Sequence, residues 1–173
     1  MLLYKNIVII VAAGKGIRMG SELKKQYILL ENIPVLTRTI QAFDQLKEIA
    51  QIIVVIPEGE EKYCFNTFVK PFGFKKTIHV IEGGPLRQDS VYNGLLHAQK
   101  ISKKSENIIT LIHDGVRPFI EPVIVRSCIE SVIEHGACLP GIRMSDTIKK
   151  VTTRPIVDAT IDREFLYSAQ TPQ

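Results

Sequence analysis

Short runs rich in isoleucine, valine and leucine recur at regular intervals along the 173-residue chain. Each run is nearly continuous in these residues, which is typical of strands that are covered on both faces. Helix-length segments lie between the runs, and in the first of them the apolar residues fall on one helical stripe. The predicted strands are residues 7–11, 52–56, 78–81, 108–112 and 137–142, and the predicted helices are residues 35–46, 58–70, 90–100 and 121–134.

This alternation of strands and helices predicts an α/β fold, with a mostly parallel sheet and helices on both of its faces. Ligands of such folds bind at the carboxyl ends of the strands, so the loops after Val11, Ile81 and Ile112 are the candidate site. After Ile142 the pattern changes, because residues 143–167 are polar and rich in Thr, Asp and Arg. We expect this segment to form a protruding β-arm, and a second subunit is a candidate to support it.

Composition narrows the class of protein. The chain is 45% hydrophobic and 23% charged, which is ordinary for a globular protein, and its length fits one domain over residues 1–173. The net charge of +4 suits a small anionic ligand, but the basic residues are not clustered as in a nucleic-acid-binding tract, so we expect no nucleic-acid partner. No signal-peptide pattern or membrane-spanning apolar run is visible, which predicts a cytoplasmic protein without a membrane partner. The three cysteines are widely spaced and are predicted to be buried, reduced thiols.

The first candidate motif is AAGKGIRMG at residues 12–20, followed by KKQY at residues 24–27. Small residues after a strand let backbone N–H groups approach phosphate oxygens, while Arg18 and Lys25 add the positive charge that a triphosphate needs. The glycine spacing differs from that of dinucleotide-binding and P-loop motifs. A purely structural glycine turn is the alternative interpretation.

Two further motifs follow later strands. In GGPLRQDSV, at residues 83–91, Ser90 is placed either to cap a helix or to contact a ligand, and Arg87 can reach an anion at the same helix terminus. HDGVRP, at residues 113–118, directly follows the predicted strand 108–112, and its Asp114 is the strongest candidate to hold Mg²⁺. We expect His113 to be packed or hydrogen-bonded, since no His or Cys stands at metal-ligand spacing. The same is expected of the other histidines, which are His79, His97 and His135.

The ordered set AAGKGIRMG, KKQY, GGPLRQDSV, HDGVRP, DTIK, DR and QTPQ, between residues 7 and 173, resembles the 2-C-methyl-D-erythritol 4-phosphate cytidylyltransferase family of the non-mevalonate isoprenoid pathway. The resemblance implies a Rossmann-like nucleotidyltransferase fold. It also implies transfer of CMP from CTP to methylerythritol phosphate with Mg²⁺ as the cofactor. Homodimers would form through an arm that residues 143–167 resemble.

The resemblance also implies roles for individual residues. Three of them, Arg18, Lys25 and Arg163, would be catalytic. Asp114 would hold the metal. The implied nucleotide-binding residues are Ala12, Ala13, Gly14, Lys15, Gly16, Gly83, Ser90 and Asp114, and the implied acceptor-binding residues are Arg117, Thr147, Arg163 and Thr171.

Other interpretations stay open from the sequence. Ribitol-5-phosphate cytidylyltransferases share many of these motifs, although AAG at residues 12–14 and DTIK at residues 146–149 favour the methylerythritol enzyme. Lys24 stands where the family usually has proline, which is expected to loosen the loop. The chain stops at Gln173, whereas the family continues through a strand and a helix that carry an acidic residue and a lysine. A truncated CTP-binding module without activity is therefore a further alternative.

Overall fold

The computed structural model describes residues 4–14, 24–153 and 155–173. The main strands are β1 (Tyr4–Val11), β4 (Ile49–Ile56), β5 (Thr77–Glu82) and β6 (Asn107–Asp114). The helices are α1 (Val35–Asp44), α2 (Glu61–Cys64), α3 (Arg87–Lys100) and α4 (Pro122–His135). The short strands are β2 (Leu29–Leu30), β3 (Ile33–Pro34), β7 (Gly141–Arg143), β8 (Ile148–Val151), β9 (Val157–Ile161) and β10 (Tyr167–Ala169).

The four main strands form one parallel sheet in the order β5-β4-β1-β6. The chain builds outward from β1 through β4 to β5 and then returns to place β6 on the other side of β1. The strand order therefore reverses between β1 and β6, and a crevice opens at the carboxyl ends of strands at such a point. Val11 and Asp114, the last residues of these two strands, are in register there.

The core lies on both faces of this sheet, which explains why its strands are continuous apolar runs. One face packs against α1, through residues such as Leu36, Ile40 and Phe43, and against α4. The i, i+4, i+7 spacing of the three α1 residues places their side chains on one stripe of that helix. The other face buries Ile7, Ile9, Ile53, Val55 and the α3 residue Ala98. The predicted layers, with helices on both faces of a parallel sheet, are confirmed.

Two predicted elements are wrong. Residues 137–142 do not form a fifth parallel strand, because only β7 is extended there and it pairs antiparallel with β10. All three residues of β7 are exposed, so an apolar run alone did not indicate burial. The single helix predicted over residues 58–70 is instead α2 followed by a π-helical turn (Phe65–Val69) and a 3₁₀ turn (Lys70–Phe72).

The segment after β7 is an antiparallel hairpin of β8 and β9. Large apolar side chains on this hairpin face solvent, including Val151 and Val157, each 56% exposed. In the described residues, no helix is long and apolar enough to cross a membrane. The three cysteines are free thiols, of which Cys64 and Cys128 are buried and Cys138 is partly exposed. Burial raises the pKa of the Cys64 thiol to about 12, so that thiol stays protonated.

Candidate active site

A cleft of about 550 Å³ lies at the carboxyl ends of the parallel strands. It opens where the loops after β1, β5 and β6 meet, as the sequence predicted. The lining residues are Val11, Ala12, Ala13, Gly14, Lys25, Gln26, Pro57, Glu58, Gly83, Gly84, Pro85, Leu86, Arg87, Ser90, Asp114 and Val116.

Backbone hydrogen bonds continue the sheet into these loops and fix where each loop starts. The Ala12 N–H donates to the Val55 carbonyl at 2.7 Å, and the Gly83 N–H donates to the Ile56 carbonyl at 2.7 Å. On the other side, the Gly115 N–H donates to the Val11 carbonyl at 2.9 Å. The floor of the cleft is therefore made of backbone whose position is set by the sheet.

The loop before α3 is packed tightly enough to require glycine at residue 83. A Cβ on Gly83 would lie 2.6 Å from the Cβ of Ala13 and 2.6 Å from the Ser90 hydroxyl oxygen. Ser90 is almost fully buried, and its oxygen accepts a hydrogen bond from the Gly84 N–H at 3.2 Å. Gly83 and Ser90 thus pack the loop before α3 closely against Ala13, in the loop after β1.

The interpretation of Ser90 as the N-cap of α3 is wrong, because the helix begins three residues earlier, at Arg87. The capping carboxylate belongs to Asp89, which accepts a hydrogen bond from the Leu86 N–H at 3.0 Å. A carboxylate in the first turn also stabilises the positive end of the helix dipole.

Asp114 lies between two guanidinium groups. Arg87 Nη2 is 3.0 Å from one carboxylate oxygen, and Arg117 Nε is 3.2 Å from the other. Arg117 also donates to the Gln170 side-chain oxygen at 2.7 Å. All three charged side chains are partly exposed, so the pairs are screened by solvent. Two cations are thereby held at the end of β6, beside the cleft.

Lys25 lines the cleft from a single 3₁₀ turn (Lys25–Tyr27). Its neighbour Gln26 is buried, and the Gln26 amide donates to the carbonyl of Ala12 at 2.8 Å and to that of Gly14 at 3.3 Å. The amide therefore ties the lysine-bearing turn to the loop that leaves β1. Sequence reasoning recognised the KKQY motif but missed this role of Gln26, since no local spacing indicates which backbone a buried amide will reach.

His113 is buried beside the cleft and does not line it. Its Nε2 lies 2.9 Å from the Arg117 carbonyl, which can only accept, so Nε2 carries the proton. Its Nδ1 then accepts from the Thr171 hydroxyl at 3.0 Å. Burial lowers the pKa of His113 and keeps the ring neutral. The expected packed, hydrogen-bonded histidine is confirmed, and the Thr171 hydroxyl is engaged with it.

The remaining predicted residues lie elsewhere. Thr147 and Arg163 belong to the exposed arm region, where Arg163 donates to the Ser145 carbonyl and lines a second, open cavity of about 530 Å³. Neither lines the main cleft of the same chain. Lys15, Gly16 and Arg18 lie outside the described residues. Of the predicted nucleotide-binding set, the cleft brings together Ala12, Ala13, Gly14, Gly83, Ser90 and Asp114, with the predicted catalytic Lys25 beside them.

Comparison with known proteins identifies the family. The family model described as 2-C-methyl-D-erythritol 4-phosphate cytidylyltransferase matches residues 6–173. The chain belongs to this family. A cytidylyltransferase of that name from Alkaliphilus metalliredigens is 43% identical over 169 residues, covering 98% of this chain and 68% of the relative. One from Syntrophotalea carbinolica is 42% identical over 166 residues, covering 96% and 69%.

Solved structures of cytidylyltransferases have the same fold. The 4-diphosphocytidyl-2C-methyl-D-erythritol synthase from Anaerococcus prevotii superimposes with a TM-score of 0.77 at 29% identity, covering 98% of this chain and 68% of that one. The 2-C-methyl-D-erythritol 4-phosphate cytidylyltransferase from Thermus thermophilus gives a TM-score of 0.70 at 25% identity, covering 98% and 69%. The Rossmann-like nucleotidyltransferase fold expected from the sequence is confirmed.

Proposed function

We propose that this chain transfers CMP from CTP to 2-C-methyl-D-erythritol 4-phosphate, forming 4-diphosphocytidyl-2-C-methyl-D-erythritol and releasing pyrophosphate. The observation that carries the proposal is the cleft at the β1–β6 switch point, in a chain of the cytidylyltransferase family. The cleft combines closely approachable backbone at residues 12–14 with the cation of Lys25, a combination that suits a nucleoside triphosphate.

In the proposed reaction, a phosphate oxygen of the acceptor attacks the α-phosphorus of CTP. A new phosphorus–oxygen bond forms while the bond to the bridging oxygen of the β-phosphate breaks, and pyrophosphate leaves with that electron pair. Catalysis of such a transfer depends on positioning and on stabilising charge that develops on the phosphorus. Lys25 would supply one positive charge there, and Arg18, which lies outside the described residues, would supply another.

The donors present fit one Mg²⁺ ion carried by the substrate. Mg²⁺ commonly binds one or two carboxylates and completes its shell with water and phosphate oxygens. Asp114 offers one such carboxylate in the cleft lining, and the described residues contain no cluster of three or more His, Cys, Asp or Glu that could form an all-protein cage. When bound, the ion would neutralise phosphate charge. Each Asp114 oxygen already accepts from one guanidinium group, that of Arg87 or Arg117, and keeps a further lone pair with which it could bind the ion.

The acceptor side of the site is proposed to be completed by a second copy of the chain. Arg163 and Thr147 lie on the arm region and do not line the cleft of their own chain. Phe165, in the same region, is 81% exposed, and Val151 and Val157 of the hairpin are also open to solvent. Exposed apolar side chains on a protruding segment are typical of an interaction surface. We therefore propose a homodimer through residues 143–167, in which the arm brings Arg163 and Thr147 to the partner's acceptor site together with Arg117 and Thr171.

Replacement of Lys25 tests the proposed chemistry. We expect Lys25→Ala to lower kcat by about 10²- to 10³-fold, the usual scale for losing one preorganised stabiliser of developing charge. The measurement is steady-state pyrophosphate release with CTP, Mg²⁺ and methylerythritol phosphate. Lys62→Ala, on the exposed surface of α2, is the matched control and should leave kcat unchanged. Unchanged turnover in Lys25→Ala would remove Lys25 from the mechanism.

A mixed dimer tests the arm. If Arg163 acts across the dimer, combining Lys25→Ala and Arg163→Ala subunits should recover activity, because one of the two sites then holds both native side chains. The measurement is turnover of the mixture against each variant alone. Mixtures no more active than the separate variants would indicate a site built within one chain.

The pyrophosphate-release assay, repeated with ribitol 5-phosphate and combined with calorimetry of CTP binding, tests the two alternative functions. Methylerythritol phosphate should be preferred to ribitol 5-phosphate as the acceptor. CTP binding in calorimetry, without pyrophosphate release from either acceptor, would instead indicate a nucleotide-binding module.

A further inference from the structure

The turn that carries Lys25 is held from outside the cleft by one carboxylate. Glu60 lies just before α2, and its two oxygens have different partners. One oxygen forms an ion pair with the Lys24 ammonium group. The other accepts a hydrogen bond from the Tyr27 hydroxyl at 2.7 Å. Glu60 therefore holds the residue before Lys25 and the residue two positions after it.

The surroundings make these contacts strong constraints. The Tyr27 ring is buried, stacks on Phe68 with centroids 4.4 Å apart, and meets the edge of Tyr63 at 5.9 Å. Burial, followed by the hydrogen bond to Glu60, raises the pKa of the Tyr27 phenol, so the hydroxyl remains a donor. The side chains of Lys24 and Glu60 are 30% and 24% exposed, and a pair this sheltered is screened less than a surface pair.

The turn is also closed internally and tied to the cleft. The Tyr27 N–H donates to the Lys24 carbonyl at 2.9 Å, which links the two residues that contact Glu60. On the cleft side, Gln26 is bonded to the carbonyls of Ala12 and Gly14. The backbone of Lys25 is consequently fixed between the loop after β1 and the segment after β4. Its side chain has freedom only beyond the Cβ atom.

We propose that Glu60 is a positioning residue for Lys25, acting through Lys24 and Tyr27. The inference rests on the proposed role of Lys25 in charge stabilisation. A displacement of about 1 Å in a catalytic group can cost up to about 10²-fold in rate, so a turn that is only loosely held would weaken catalysis without emptying the nucleotide site. The backbone of Lys24, with φ −65° and ψ 137°, lies where a proline ring would hold it. In this chain the ion pair to Glu60 provides the restraint that a proline would provide through its ring.

A double-mutant cycle with Lys25 tests the inference. We expect Glu60→Ala to lower kcat by about 10-fold while the KM for CTP changes by less than about threefold, because the charge is misplaced but the cleft remains. In the Lys25→Ala background, Glu60→Ala should lower kcat by less than about twofold, because no lysine is left to position. Glu61→Ala, in the exposed first turn of α2, is the matched control and should leave kcat unchanged.

The cycle separates a positioning role from a structural one and from failure of the proposed function. An equal loss of kcat in both backgrounds, or none in either, would overturn the role of Glu60. Should Lys25→Ala lower turnover while Glu60→Ala does not, only this inference fails. If Lys25→Ala leaves turnover unchanged, the proposed role of Lys25 fails and this inference fails with it.

Two further variants keep the inference testable if Glu60→Ala fails to fold. Glu60→Gln keeps an acceptor for the Tyr27 hydroxyl but loses the ion pair, and we expect an intermediate loss of about threefold in kcat. Lys24→Pro, added to Glu60→Ala, should recover most of the lost kcat by fixing the backbone angle. Thermal unfolding is followed in parallel. A folded double variant that regains stability but no turnover, or a Glu60→Gln variant with parental kcat, would contradict the proposal.

Discussion

The hydrogen bond between Thr171 and His113 offers a sharp test of how the end of β6 is held. Thr171 is 8% exposed and His113 is 1% exposed, and the Thr171 hydroxyl is 3.0 Å from His113 Nδ1. Thr171→Val keeps the shape of the side chain but removes the donor. A buried acceptor left without a partner costs about 1–3 kcal/mol, and we expect the free energy of unfolding to fall by about 2 kcal/mol.

The assay is urea unfolding followed by circular dichroism, with a thermal melt beside it. A loss of about 2 kcal/mol corresponds to about 4–8 °C in Tm for a chain of this size. His113→Phe provides the second axis of a double-mutant cycle. In that background the Thr171 hydroxyl has lost its acceptor, so Thr171→Val should become neutral or stabilising. An equal cost of Thr171→Val in both backgrounds, or a cost below about 0.5 kcal/mol in the parent, would refute the hydrogen bond as the cause.

Two further predictions concern the opposite face of the sheet. Gly94→Ala should lower the free energy of unfolding by about 1–3 kcal/mol in urea titrations, because the added Cβ would lie 2.5 Å from Ile9 Cγ2 in the core. Alanine favours helices more than glycine does, so a gain in stability would show that this close packing does not exist. Burial lowers the pKa of both His79 and His97, whose rings are 5.0 Å apart, with Lys5 and Lys100 nearby. The two neutral rings therefore contribute fully to the stability of the folded state above the unfolded pKa of about 6.5, and this contribution is lost as pH falls through the lowered folded pKa. Between about pH 7.5 and 5, the free energy of unfolding should depend less on pH in a His79→Phe/His97→Phe variant than in the parent.

The sheet could be predicted from the sequence because its strands are buried on both faces. Such burial selects continuous apolar runs, and four of the five predicted runs lie in the parallel sheet. Predicted and observed helix bounds agreed within a few residues where a clear signal marked them. In α4, Pro122 is the first residue, and Gly136, which has φ 85°, follows the last one. Residues 137–142 form a similar apolar run, but they do not pair with a strand of the parallel sheet. Strand pairing is a long-range property, and local composition did not determine it.

The site was predictable at the level of loops but not of contacts. Glycine-rich segments follow two of the strands, and Asp114 lies at the end of a third. Because a parallel sheet brings the carboxyl ends of its strands together, the cleft could be predicted. The contacts of Glu60 with Lys24 and Tyr27 span 33 or more positions, and that of Thr171 with His113 spans 58. No periodicity or spacing rule connects residues so far apart. The sequence therefore indicated which side chains matter but not which groups hold them in place.

Asp114 illustrates why this distinction affects how experiments are interpreted. Its carboxylate holds Arg87 and Arg117 beside the cleft in the absence of substrate. The two positive charges are therefore already brought together when the protein folds, and not only when a phosphate binds. An Asp114→Ala variant would release both guanidinium groups as well as remove the proposed Mg²⁺ ligand. A fall in turnover therefore has two physical causes. The two causes differ in how the rate depends on Mg²⁺. Loss of a metal ligand should raise the Mg²⁺ concentration needed for half-maximal rate. Displaced arginines should instead lower the rate even at saturating Mg²⁺.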